Sequence, residues 1–384
     1  MFLILSFILA LSCSMITIRV LVCYNPEIMA SVKWGIGAVV VAAWYAPVII
    51  GLARKAGVTG VPYVLLSQVL YFMFGTAFIL FCLIMLRDIF WIWGYKAAGW
   101  LGKASAACDP MNAALLKKAN IATCLLAAAV SLYSLYQGVK FPAVKAVQIA
   151  SEKIDYPFKI VLVSDLHINP AMPVKRVRKI VETVNALKPD VIVLPGDIVD
   201  AKPDEIAEQT AELAKLNAKY GAFVTLGNHE FYVGASAWEN RFRDLRLFYL
   251  RNEGLMLNGA NVYVAGIPDP HALRITPALM EKIGELLAKK SPQAFTLLMS
   301  HSPSIANKLS KEQVDLQVSG HTHGGQIFPF HFLVKKANGF LSGLYDVNGF
   351  KLYISNGAGG WGPPMRLFAP SEISEITLVP SAGF

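Results

Sequence analysis

Four apolar stretches dominate the first 140 residues. Residues 2–18, 34–53 and 62–86 stop at Arg19, at Arg54-Lys55 and at Arg87-Asp88; the fourth, residues 119–136, follows Lys117-Lys118. A bilayer core of about 30 Å takes roughly 20 apolar residues as helix. The pattern therefore predicts an all-α transmembrane region over residues 1–140 with about four spans. Trp91, Trp93, Tyr95 and Trp100, between the third and fourth stretches, suit an interfacial aromatic belt. Beyond a linker, residues 141–156, the pattern changes. Val174, Val177, Ile180, Val181, Val184 and Leu187 recur at three- and four-residue steps, an amphipathic helix, and Ile206 to Leu216 reads as a second. Short apolar runs at 158–164, 191–194, 222–226, 262–265, 295–299, 316–318, 351–354 and 376–379 read as strands. Strands alternating with helices give an α/β domain over residues 157–384, and the lack of a helix between the last runs makes its sheet mixed.

Composition follows this division. Of 384 residues 55% are hydrophobic and 16% charged, against about 25% charged in soluble domains. That excludes disorder and argues against a purely soluble enzyme. The net charge of +9 suggests nucleic acid until it is divided: residues 1–140 hold ten Lys/Arg and three Asp/Glu, and residues 141–384 hold 25 and 23. The positive excess flanks membrane spans, and the hydrophilic half lacks the basic footprint of a nucleic-acid domain. Cys13, Cys23, Cys82, Cys108 and Cys124 all lie in the apolar half and read as small apolar fillers. No positive residue precedes the first stretch, so it reads as a retained span, not a cleaved signal. Lys/Arg counts in the flanking segments, about six on the terminal side and about seven opposite, lean toward an external catalytic domain. No acidic residue lies inside any span, which favours an anchor over an ion or proton path.

The chemistry-bearing residues gather where strands end. The strand runs lead into Ser164-Asp165-Leu166-His167, Gly196-Asp197, Gly227-Asn228-His229-Glu230, Ser300-His301 and Gly320-His321-Thr322-His323-Gly324-Gly325. In an open α/β sheet, ligands bind beyond the carboxyl ends of the strands. Residues two apart in extended backbone point the same way, so Asp165 with His167, and His321 with His323, each present two donors together. All seven histidines lie beyond residue 140, and five fall in these tips. One such pair alone is an ordinary turn; five tips together point to a metal site. Carboxylate, amide and imidazole donors without thiols suit Mn²⁺, Fe²⁺ or Zn²⁺.

In this order the five tips resemble the motifs of calcineurin-like metallophosphoesterases. The segments SDLHI, GDIVD, GNHE and SGHTHGGQ, and the tail from Gly359 to Ile373, are similar to the branch of transmembrane proteins with a metallophosphoesterase domain. The resemblance covers roughly residues 157–380. It implies a four-layer α-β-β-α sandwich and two divalent metal ions. Asp165, His167 and His323 would hold one ion, Asn228, His301 and His321 the other, and Asp197 would bridge them. His229 would leave the metals alone and act as general acid at the leaving oxygen. The implied reaction is hydrolysis of a phosphate ester or pyrophosphate by attack of metal-bound hydroxide on phosphorus.

A multi-span anchor points to a lipid-linked substrate in a bacterial inner membrane, for instance a nucleotide-linked acyl-sugar pyrophosphate. The expected partners are the bilayer and that substrate, with no nucleic acid. The alternatives are a phosphodiesterase or nuclease on a soluble substrate, and a transporter or sensor with a non-catalytic phosphoesterase-like domain; the complete motif set speaks against the last. Outside the motifs, Arg366 is a candidate phosphate contact or a structural salt bridge. Phe330 and Phe332, in the run Ile327 to Leu333, are either an apolar lip for an acyl chain or buried packing. Asp200 reads as a helix-start residue or, alternatively, as a support behind the metal ligands, and His271 and His331 read as loop residues. Lys175, Arg176, Arg178 and Lys179 read as a solvated helix face or a contact to anionic headgroups.

Overall fold

The computed structural model describes residues 2–23, 28–269 and 275–381. The chain forms two compact units: Met1–Val139 with Gly362–Met365, and Lys140–Trp361 with Arg366–Phe384. In the first, helices α1 (Phe2–Ile18), α2 (Ala30–Trp44), α3 (Ala46–Lys55), α4 (Gly60–Trp100) and α5 (Ala113–Val139) follow the apolar stretches. Among the described residues two helical stretches, Gly60–Trp100 and Ala106–Val139, are long and apolar enough to cross a membrane, and three if the bent pair Ala30–Trp44 and Ala46–Lys55 counts as one span; the hydropathy pattern predicts four. The 17 residues of α1 reach about 25 Å as helix, short of the core thickness. The expected span 34–53 is broken into α2 and α3, bent by 70°. Pro47 sits in the first turn of α3; it has no N–H to donate and its ring clashes with the preceding turn. Hydropathy does not register such a break. The third stretch does not stop at Arg87-Asp88, since charge ends a span but not a helix. The four aromatics expected in a loop therefore ride on α4. Trp44 of α2 packs edge-to-face on Phe74 and Phe81 of α4, with ring centroids 5.7 Å away in each case.

The second unit holds two six-stranded sheets. In the first, β1 (Ala143–Ser151) pairs with β12 (Glu372–Pro380), then follow β2 (Phe158–Leu162), β3 (Val191–Leu194), β4 (Ala222–Val224) and β5 (Phe248–Tyr249). The second runs β10 (Gly343–Val347), β11 (Phe350–Ile354), β9 (Leu316–Ser319), β8 (Phe295–Ser300), β7 (Val262–Ile267) and β6 (Glu253–Met256). Strand periodicity assigns the layers. Ile160, Leu162 and Val193 meet Leu297, Met299 and Val318 between the sheets. Their alternates Val161 and Ile192 face α6 (Val174–Ala186) and α9 (Ala235–Asp244), whose Trp238 and Phe242 are fully buried. Ala265 and Leu298 on the outer face of the second sheet pack on Ile283, Leu286 and Leu287 of the Pro277–Ala288 helix. This is the α-β-β-α order that the resemblance implies.

The expected linker 141–156 is largely strand: β1 pairs in parallel with β12 along its whole length. It is a mostly exposed edge strand, with only Ile149 buried, and so carries no apolar run to read. The second expected helix shrinks to α7 (Ala207–Ala211) and a 3₁₀ turn, Glu212–Lys215. The basic face of α6 is solvated, as expected, with Lys175, Arg178 and Lys179 exposed, and three of its four cations also have partners. Arg178 donates to Glu212 at 3.0 Å, Lys179 lies 4.6 Å over the Phe141 ring, and Arg176 donates to the Lys140 carbonyl.

Candidate metal centre

Parallel pairing of β2, β3 and β4, and of β7, β8 and β9, brings the carboxyl ends of each set to one edge. Asp165, His167, Asp197, His321 and His323 all adopt left-handed backbone, with φ between 49° and 70°. For a residue with a Cβ this costs about 1–3 kcal/mol, so the surroundings must hold it. They do: the backbone N–H of Asp165 donates to the Gly196 carbonyl, that of His167 to Asp197, and that of Gly359 to Asp165. Gly227 is required by close approach, since a Cβ there would lie 2.2 Å from Asp197 Oδ1.

The predicted donors converge. His323 Nε2 lies 3.3 Å from Asp165 Oδ1 and 3.1 Å from His167 Nε2. Asp197 Oδ2 lies 3.0 Å from His301 Nε2 and 4.0 Å from His167 Nε2. His321 Nδ1 is 3.1 Å from Asn228 Oδ1, and the His301 and His321 rings are 5.0 Å apart. Two donor groups result, Asp165-His167-His323 and Asp197-His301-His321, each with donor atoms within 4.8 Å of one another; Asp197 also groups with His167 and His229. His229 Nε2 is 3.9 Å from Asp197 Oδ2, and its side chain is 22% exposed, whereas His167 and His301 are fully enclosed.

Three residues organise this set: Asp200 by the second of its two sequence readings, Glu230 and Arg366 in ways the sequence reading missed. Asp200 is not a helix-start residue: its Oδ1 accepts from Nδ1 of both His167 and His229, each at 2.7 Å. Glu230 is buried and accepts from the backbone N–H groups of Gly227, Asp197, Ile198 and Val199 at 2.7–3.1 Å, which clasps the Asp197 turn. Arg366 forms no salt bridge among the described residues; it stands behind the site, its Nη2 3.4 Å from His323 Nδ1. Its buried guanidinium donates to the carbonyls of Ala369, Asn356 and Gly359 at 2.7–2.8 Å and, more loosely, to that of His323. Position three after Asp197 and position one after His229 were the available signals for Asp200 and Glu230. Nothing in the local sequence marks Arg366's backbone partners.

Phe330 and Phe332 are 41% and 67% exposed, so they are not buried packing. Phe328 makes ring contacts with Phe332 and Phe368 beside them, at 5.7 and 5.8 Å. His331 begins a helix, His331–Asn338, where a loop was expected; His271 lies outside the described residues.

Charge is arranged as the donors require. Burial raises the Asp197 carboxyl, but the imidazoles of His301, His229 and His167 outweigh it and hold it well below the usual range. Burial likewise raises Asp200, and His167 and His229 bring it down to about 2. Burial lowers His167, yet Asp200, Asp197 and Asp165 lift it to about 9. His323 is held well below its ordinary value by burial and by the neighbouring His167 and Arg366. Because Asp200 is ionised it only accepts; the Nδ1 atoms of His167 and His229 therefore carry hydrogen, which leaves His167 Nε2 as the atom that would face an ion. His167 Nε2 and His323 Nε2 face each other within hydrogen-bonding distance. His301 is buried with neither ring nitrogen hydrogen-bonded in good geometry. Enclosed imidazole nitrogens aimed at carboxylates fit divalent cations.

The calcineurin-like phosphoesterase family model matches residues 158–325. An uncharacterized metallophosphoesterase of Campylobacter jejuni is 37% identical over 250 residues, 64% of this chain and 65% of that protein. One from Aquifex aeolicus is 32% identical over 228 residues, 57% of this chain and 84% of that protein. A Bos taurus transmembrane protein with metallophosphoesterase domain is 30% identical over 335 residues, 83% of this chain and 74% of that protein. The chain thus spans just under two thirds of the Campylobacter relative's length and about three quarters of the bovine one's. With five strand tips converging on one donor cluster and this similarity across both, the chain belongs to the calcineurin-like metallophosphoesterase family.

Proposed function

We propose that this chain is a membrane-anchored phosphoesterase that uses two divalent ions, Mn²⁺, Fe²⁺ or Zn²⁺, to hydrolyse a lipid-linked phosphate ester or pyrophosphate at a bacterial cell membrane. The observation that carries the reading is Asp197 set between two donor groups. Asp165, His167 and His323 would hold one ion, Asn228, His301 and His321 the other, and Asp197, near both groups, would serve both. When bound, the ions stabilise charge on the attacking and leaving oxygens and make water acidic enough to attack at neutral pH.

The chain's own groups do the rest. Asp200 fixes the His229 ring through Nδ1, leaving Nε2 as the atom that carries a proton to the leaving oxygen. The partial exposure of His229 gives a substrate access that the enclosed His301 lacks. Asp200 also orients His167, so one carboxylate sets both a ligand and the proton donor. The two apolar helices long enough to cross a membrane support the anchor, and the exposed Phe330 and Phe332 support a substrate with an acyl chain. The near balance of charge beyond residue 140 supports a substrate other than nucleic acid.

The test is a panel of lipid, nucleotide and aryl phosphates offered to the full chain in detergent. Hydrolysis is expected to stop with chelator and to return with added Mn²⁺. A chain that binds metal and cleaves no member of the panel overturns the enzyme reading.

A further inference from the structure

The aromatic residues beside the metal centre form one exposed patch. Residues 326–333 and 361–368 are tied side by side. Gln326 donates to the Trp361 carbonyl at 2.7 Å, and the backbone N–H groups of Leu367 and Phe328 donate to the Gln326 and Leu367 carbonyls. Phe328 sits in the middle, its ring 5.7 Å from that of Phe332 and 5.8 Å from that of Phe368. Phe368 is 75% exposed, and Leu333 and Trp361 stand exposed alongside. The helix His331–Asn338 buries none of its residues. It carries Phe332 and Leu333 in its first turn and the exposed Lys335 and Lys336 in its last. Other exposed apolar side chains of this unit, such as Tyr156, Phe248 and Leu255, are spread along the chain. Scattered ones are ordinary on a protein surface, whereas a contiguous patch marks a surface that meets something.

What the patch meets follows from where it lies. The helix starts against the metal-ligand tip, since a Cβ on Gly325 would lie 2.6 Å from His331 Cα, so the patch is at the carboxyl edge of the strands. β1 begins at that same edge. It pairs in parallel with β12, which pairs antiparallel with β2, and Ala143 opposite Glu372 thereby stands just beyond the end of β2 at Leu162. Three residues, Lys140 to Pro142, join β1 to Val139, the last residue of a helical stretch apolar enough to cross a membrane. The edge that exposes the aromatic patch is thus the edge from which the chain runs into a membrane span. Exposed aromatic rings with lysines beside them settle in a bilayer interface, and the lysines are drawn to anionic headgroups. We propose that this patch docks the metallophosphoesterase unit on an anionic bilayer surface, with Phe332, Leu333 and Phe368 in the interface and Lys335 and Lys336 at the headgroups. Docking requires the membrane anchoring of the proposed function and none of its chemistry.

The test places the full chain in lipid nanodiscs that contain a phosphatidylcholine with a carbene-generating diazirine in its acyl chain, and maps the label by peptide mass spectrometry after photolysis. Tyr156 is the control: it is 82% exposed and precedes β2, at the opposite edge of the sheet. An interfacial segment lies some way into the acyl boundary, so labelling over residues 328–336 is expected about 5-fold or more above that at Tyr156. Leu333→Ser combined with Phe368→Ser is expected to bring it down to the Tyr156 level while the label on Gly60–Trp100 stays. Both side chains are exposed, so the variant is expected to stay folded. Phosphatidylglycerol in the disc is expected to raise labelling of the patch by about 2–5-fold, and Lys335→Gln combined with Lys336→Gln to remove that increment. A patch labelled no more than Tyr156, or labelled equally in both variants and the parent chain, overturns the proposal. A patch that stays unlabelled and cross-links to a second copy also overturns it, by making this a dimer face. Label missing from Gly60–Trp100 would overturn the anchor and the docking together. Metal content and chelator-sensitive hydrolysis of a soluble aryl phosphodiester, read in the same samples, test the phosphoesterase reading separately.

Discussion

Asp200 ties two histidines with different tasks to one oxygen atom, and that sharing is testable residue by residue. An outer carboxylate that orients a ligand imidazole typically contributes 10–100-fold in metal affinity or activity. Asp200→Ala is expected to weaken metal binding by about that factor, because His167 loses its fixed Nδ1 hydrogen bond. His229→Ala removes only the proton donor: metal content should stay while turnover drops by about 10²–10⁴-fold. Asp197→Ala should lose both, since its carboxylate faces His301 at 3.0 Å and is also within 4.0 Å of His167 and His229. Metal analysis beside turnover of an aryl phosphodiester separates the three. An Asp200→Ala protein with unchanged metal affinity would remove Asp200 from the ligand set's support, and a His229→Ala protein that has lost its metal would make His229 a ligand.

At the scale of elements, the strand tips are held by side chains acting on backbone. Glu230, on α8 (Asn228–Val233), offers one buried carboxylate to four N–H groups. Burial and the nearby Asp197 push its carboxyl up to about 7, although His301 and those donors pull it down. A glutamine there presents one oxygen and turns an NH₂ toward N–H donors. Glu230→Gln is therefore expected to destabilise the fold by about 1–3 kcal/mol, seen as a lower thermal midpoint of the full chain; an unchanged midpoint would refute the clasp. The same contrast explains what could be read from the chain beforehand. β3 and β8 are buried along their whole length and so appear as apolar runs, and the donors that follow them are adjacent in sequence. β1, exposed at the sheet edge, lacks that signature. The bend between α2 and α3 follows from one proline that leaves hydropathy unchanged. Asp200, Glu230 and Arg366 were visible as residues, but their roles depend on partners brought together only by folding. Arg366 lies 43 residues from His323, whose carbonyl it meets.

For the molecule as a whole, one chain joins an apolar unit to a unit whose histidine cluster is built for phosphate chemistry, and a substrate belonging to both environments would carry both a phosphate and an acyl chain. The run that follows the His321-x-His323 tip bears on this. Ile327 is buried and anchors the segment through a bridge to Leu367, while Phe330 and Phe332 remain exposed at a cost in apolar surface left in water. Covering a phenyl ring fully with an acyl chain is worth roughly 1.5–3 kcal/mol, and partial cover correspondingly less. Phe330→Ser combined with Phe332→Ser is expected to lower kcat/KM for a lipid phosphate by about 10-fold or more, mainly through KM, because uniform binding is lost. Hydrolysis of a small aryl phosphodiester should be unchanged, since the Asp197 donor cluster is untouched. Equal losses on the two substrates would assign the rings to folding, and no loss on either would leave the acyl chain with a different contact surface.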